Sequence, residues 1–98
     1  MEGTASVAGD VLARYAADAA REVAGVAGLV EGRLPRQGAV RIDTENGLRV
    51  ELHLELAAGA AAPQVGAEVQ RRVADYLERM AGARPQAVDV VVDEVAGS

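Results

Sequence analysis

From Leu48 to Leu56 the chain alternates without a break. Leu48, Val50, Leu52, Leu54 and Leu56 fall on one side, and Arg49, Glu51, His53 and Glu55 on the other. A period of two predicts a strand with one face in a core and one in water. Each of the five apolar side chains contributes roughly 1.5–3 kcal/mol if fully buried, before entropy is subtracted. A slip of one residue would expose them all, so this strand sets the register for its neighbours. A shorter alternation, Ala39–Thr44, predicts a partner strand with Val40 and Ile42 inward and Arg41 and Asp43 outward. Asn46-Gly47 between the two predicts a two-residue type I′ hairpin turn. Near the end of the chain, Gln86–Val95 predicts a third strand, with Val88, Val90 and Val92 inward and Asp89, Val91 and Asp93 outward.

Elsewhere the period changes to that of a helix. Leu12, Tyr15, Ala16, Ala19 and Val23 recur at spacings of three and four, predicting a helix from Asp10 to about Ala24 that is stopped by Gly25. Val65, Val69, Val73, Tyr76, Leu77 and Met80 form a second stripe, on a helix from Pro63 to Met80 or Ala81. Pro63 suits its first position, and Gly82 followed by Pro85 its end. Gly28–Gly38, with three glycines and Pro35, reads as a loop. The prediction is one α+β domain over residues 1–98, with residues 1–8 and 96–98 frayed. Two helices pack on one face of a three-stranded mixed sheet in the order α-β-β-α-β. A strand over Ala5–Val7 is the alternative, giving βαββαβ.

Composition narrows what this domain does. There is no Phe, Trp or Cys, and Tyr15 and Tyr76 are the only aromatics. The core must come from Val, Leu and Ala. Aromatic stacking on single-stranded nucleic acid, disulfides, thiolate metal sites and a cysteine nucleophile are excluded. The net charge is −5 and all ten basic residues are arginine. That balance disfavours both a phosphate backbone and an anionic lipid surface as partner. The N-terminus has neither the basic start nor the apolar run of a signal peptide, and no apolar run reaches membrane-spanning length. The expected location is the cytoplasm.

Candidate chemistry is sparse. His53 is the single histidine, with Glu51 and Glu55 beside it and Asp89 or Asp93 within reach from an adjacent strand. One imidazole among scattered carboxylates falls short of a zinc site, and an open sheet face gives paired carboxylates no cleft for acid–base work. Ser6 and Ser98 lie near the termini, outside any nucleophile elbow. Neither catalytic residues, metal nor cofactor is expected. Gly25-Val26-Ala27-Gly28 has the G-x-x-G spacing of a nucleic-acid backbone clamp, with Arg33 and Arg36 nearby. Its inner pair is apolar, and a helix stop plus loop accounts for it. The outward sheet positions Arg41, Arg49, Glu51, His53, Glu55, Asp89, Val91 and Asp93 form the candidate interaction face.

Two stretches carry a family resemblance. Gly3-Thr4-Ala5-Ser6-Val7-Ala8-Gly9-Asp10-Val11-Leu12 resembles the start G-x-I-x-I-S-x-E-V-I of the alkaline shock protein, or Gls-type envelope stress response, family. The helix running into Glu22-Val23-Ala24-Gly25-Val26-Ala27-Gly28-Leu29 is similar to its segment E-V-x-G-V-x-G-L. Ala8 stands where the family has a serine, and Ala5 where it has a larger apolar residue. The resemblance implies a non-enzymatic bacterial protein of cell-envelope homeostasis. It would act as a self-associating or partner-docking scaffold, recruited to the membrane by a separate anchor protein. The alternative is a KH-like RNA-binding module using the Gly25–Gly28 loop.

Overall fold

The strand Arg49–Leu56 lies at the centre of the molecule. In the computed structural model, described for the backbone of residues 2–31 and 38–97 and for side chains from Gly9 onward within those spans, the elements run as follows. Helix α1 (Glu2–Arg21) is followed by strands β1 (Val26–Leu29), β2 (Val40–Asp43) and β3 (Arg49–Leu56). Helix α2 (Ala62–Ala81) and strand β4 (Ala87–Val95) complete the chain. β4 lies parallel to β3 along its whole length, as a crossover through α2 requires. β1 and β2 both lie antiparallel to β3 on its other edge.

The sheet therefore has four strands where the sequence pattern gave three. The fourth is Val26–Leu29, read above as a helix stop and loop. β1 covers Leu54–Leu56 and β2 covers Arg49–Leu52, so the two lie end to end. Between them, at His53, the ladder is completed by two different residues. Val30 N–H donates to the His53 carbonyl and His53 N–H donates to the Ala39 carbonyl, each at 2.9 Å. The edge strand is thus broken opposite His53, between Val30 and Ala39.

Helix α1 begins at Glu2 rather than Asp10, so Ala5–Val7 belongs to a helix and not to a strand. Gly3, Thr4, Ser6, Val7 and Gly9 are weak helix formers, so neither propensity nor period marks this start in the sequence. α1 stops at Arg21, earlier than expected, through short bonds from Glu22 N–H to Ala19 O and from Val23 N–H to Ala20 O. Gly25 is still required, but as the entry to β1. Its φ is +98°, and a Cβ there would lie 2.6 Å from Val65 Cγ2. The link between β2 and β3 spans Thr44–Leu48 rather than two residues, with positive φ at Gly47. Asp43 Oδ1 accepts from Glu45 N–H at 2.9 Å and tightens it.

Both helices cover the same side of the sheet. Ala16, Ala19, Ala20 and Val23 meet Val50, Leu52, Leu54 and Leu56 from one flank, and Val65, Val69, Val73 and Leu77 meet them from the other. The small alanine face of α1 lets it pack closely, and Tyr15 meets Tyr76 edge-on at 5.7 Å between ring centroids. α2 ends as expected. Gly82 adopts the left-handed conformation and its N–H donates to Glu78 O at 2.9 Å. Met80 lies past the buried part of the stripe and is half exposed.

A candidate interaction face

The alternation that buries Val50, Leu52, Leu54 and Leu56 turns Arg49, Glu51, His53 and Glu55 to the opposite side, which the two helices leave uncovered. Strand pairing extends this face sideways. Arg41 stands opposite Glu51, and Asp43 opposite Arg49. Across the parallel seam, Asp89 stands opposite Glu51 and Val91 opposite His53. All eight residues picked out from the sequence share this face. Arg41, Arg49, Asp89 and Asp93 are exposed; Glu51, His53, Glu55 and Val91 are partly buried by their neighbours.

At its centre lies a three-residue bracket. His53 Nε2 is 2.6 Å from Glu51 Oε2, and His53 Nδ1 is 2.7 Å from Asp93 Oδ2. A break in the β3–β4 register after Leu54 inserts Asp93 as an extra residue. Of the carboxylates the sequence offered, the structure brings Glu51 and Asp93 to the ring, while Glu55 and Asp89 stay apart from it. Only the imidazolium can donate from both nitrogens. A neutral ring would turn one lone pair toward a carboxylate. The hydrogen bond to Glu51, then the one to Asp93, raises the His53 pKa above 6.5, with burial opposing them. Both nitrogens are occupied, so neither is free to serve as a base or to ligate a metal in this arrangement. Among the described residues no group of three or more His, Asp or Glu is placed to hold a metal ion.

Arg41 and Arg49 make no ion pair among the described residues, although Glu51, Asp43 and Asp89 lie around them. These five line a shallow depression of about 210 Å³. It offers two unpaired guanidiniums for polar recognition but no enclosed volume for chemistry. The Gly25–Gly28 segment is paired strand. Val26 faces Leu56, Gly28 faces Glu55, and Gly25 O accepts from Ala57 N–H at 2.8 Å. It presents no free loop of the kind a backbone clamp needs; Arg33 and Arg36 lie outside the described residues.

A second charged cluster lies on the solvent side of α2. On α2, Glu68 pairs with Arg71 at 2.6 Å and with Arg72 at 3.0 Å. Hydrogen bonds from Arg72 and then Arg71 hold its carboxyl below the ordinary range. These arginines, with Asp75, Tyr76, Arg79 and Glu22, line an open groove of about 340 Å³ between the helices. The spacing of Arg71, Arg72, Asp75 and Arg79 was visible in the sequence, but the groove depends on where α1 ends.

Comparison with known proteins adds three findings. The profile of the alkaline shock protein 23 family, described as having a cell envelope-related function, matches residues 1–97. No curated protein matches the chain. A solved structure of MamM carrying a valine-to-arginine replacement has the same fold, with a TM-score of 0.55 at 14% identity. The match covers 87% of this chain and 83% of that one.

Proposed function

Because this chain belongs to the alkaline shock protein 23 family, of cell envelope-related function, we propose that it is a non-enzymatic scaffold of cell-envelope homeostasis. It acts by self-association or by docking to a protein partner, through the uncovered face of its sheet. The observation that carries this reading is the face itself. Among the described residues Arg41 and Arg49 stand there without ion partners beside a row of carboxylates, with Val91 as an apolar anchor among them. Unpaired charges on an open face suit polar recognition and steer approach more than they add affinity. The absence of enzymatic activity is part of the proposal. It is supported by a histidine whose two nitrogens are both occupied by carboxylates.

No helix among the described residues is long and apolar enough to cross a membrane. In this reading, contact with the envelope comes through a separately anchored partner met from the cytoplasmic side, a proposal that rests on the family's cell envelope-related function. The test is charge reversal of Arg41→Glu with Arg49→Glu, two exposed positions outside the core. Sedimentation over a concentration range, and capture of partners from cell extract, should both show weaker association than for the parent. Circular dichroism should be unchanged. Unaltered association by a folded variant rejects the face as the contact surface.

A further inference from the structure

β3 is hydrogen-bonded on both edges, whereas β4 is bonded on one. Among the described residues no strand lies against the other edge of β4. Ala87 to Val92 run beside Arg49 to Leu54 in unbroken register, which leaves a straight row of backbone donors and acceptors facing outward, capped at its start where the Val88 carbonyl accepts from Gln70 Nε2 at 2.9 Å. The opposite edge of the sheet is interrupted between Val30 and Ala39, so β4 is the longest continuous edge among the described residues. Natural edges are commonly guarded by proline or lysine. β4 has neither, and its bulge at Asp93 guards only its far end.

We propose that this edge accepts an extended segment of another polypeptide as an added strand, with basic residues at alternate positions of that segment. This site adjoins the sheet-face contact and shares Asp89, Val91 and Asp93 with it, but it binds through the backbone edge of β4, so protection of β4 amides tells the two apart. Backbone bonding would give the affinity and side-chain pairing the selectivity. On the outward side, an incoming strand meets Asp89, Val91 and Asp93; Glu94 follows at the bulge. Asp89 and Glu94 have no cationic partner among the described residues, so the edge presents unbalanced negative charge. On the inward side it meets the row Val88, Val90 and Val92, and Val92 is still 39% exposed. Basic outward and apolar inward is therefore the complementary pattern. A second copy fits poorly, because β4 against β4 gathers Asp89, Asp93 and Glu94 of both chains along one seam.

The test uses a capped peptide of three Arg-Val repeats with the isotopically labelled protein at low salt. Amides of β4 that exchange freely in the protein alone should become protected, while β3 amides, already bonded, should not change. A three-fold Glu-Val repeat should give no protection. The reversal Asp89→Arg with Glu94→Arg should weaken the basic peptide at least about tenfold and admit the acidic one, with circular dichroism confirming the fold. Peptide contacts confined to α2 or to the sheet face, with β4 amides unprotected, would overturn the proposal. So would β4 protection that grows with protein concentration in the absence of peptide, which would assign the edge to a second copy.

Discussion

His53 is the residue where geometry and protonation meet. Its folded pKa is raised by the bonds to Glu51 and Asp93, so folding binds a proton more tightly there than the unfolded chain does. The stabilisation from the bracket is complete below the ordinary value of 6.5 and is lost as pH rises through the raised folded value. An NMR titration of the His53 ring should give a midpoint above 6.5, and one at or below it would refute the bracket. The stability gap between the parent and His53→Gln should be larger in mild acid than at alkaline pH. Gly25 offers a second single-residue test. With φ at +98° and Val65 Cγ2 where a Cβ would go, Gly25→Ala should destabilise by about 1–3 kcal/mol in denaturant melts. Gly28→Ala has open space at the Cβ position and should cost far less.

At the scale of elements, what could be read in the sequence tracks how strongly each segment's own residues favour one period. β3 was legible because five apolar side chains alternate with charged ones, and all but Leu48 are now fully buried. α2 was legible because Val65, Val69, Val73 and Leu77 repeat every fourth residue between a proline and a glycine. β1 was not, since Val26-Ala27-Gly28-Leu29 carries no alternation and becomes a strand only by bonding to β3. The start of α1 was misplaced for a related reason, because Gly3, Thr4, Ser6, Val7 and Gly9 supply neither a clear period nor strong helix propensity. The face was legible residue by residue, yet the contact between His53 and Asp93 was not, because it depends on a register break that no local signal marks. These elements differ accordingly in what holds them. Leu54→Ala, at a fully buried position under both helices, should cost about 2–5 kcal/mol by chemical denaturation. Gly82→Ala at the left-handed cap of α2 should cost about 1 kcal/mol.

For the molecule as a whole, the two sides of the sheet have divided tasks. One side, under α1 and α2, holds nearly all of the buried apolar surface. The other is charged and uncovered, so exposed residues there can change with little effect on folding. The broken edge strand takes that separation further. Leu29 faces Leu54, Val40 faces Leu52, and Val30 and Ala39 share His53 between them. The eight residues from Glu31 to Gly38 therefore stand in the sequence between two strands that already line up end to end along β3. Removing them and fusing Val30 with Ala39 into one valine should leave a continuous edge strand, with stability changed by no more than about 1 kcal/mol. Thermal melts and the amide exchange pattern of β3 would check this, and collapse of the fold would refute it. The same deletion removes Arg33 and Arg36, the basic pair on which nucleic-acid binding would depend. The pairing of β1 and β2 with β3 requires nothing of residues 31–38, so their number and charge can change without disturbing the sheet.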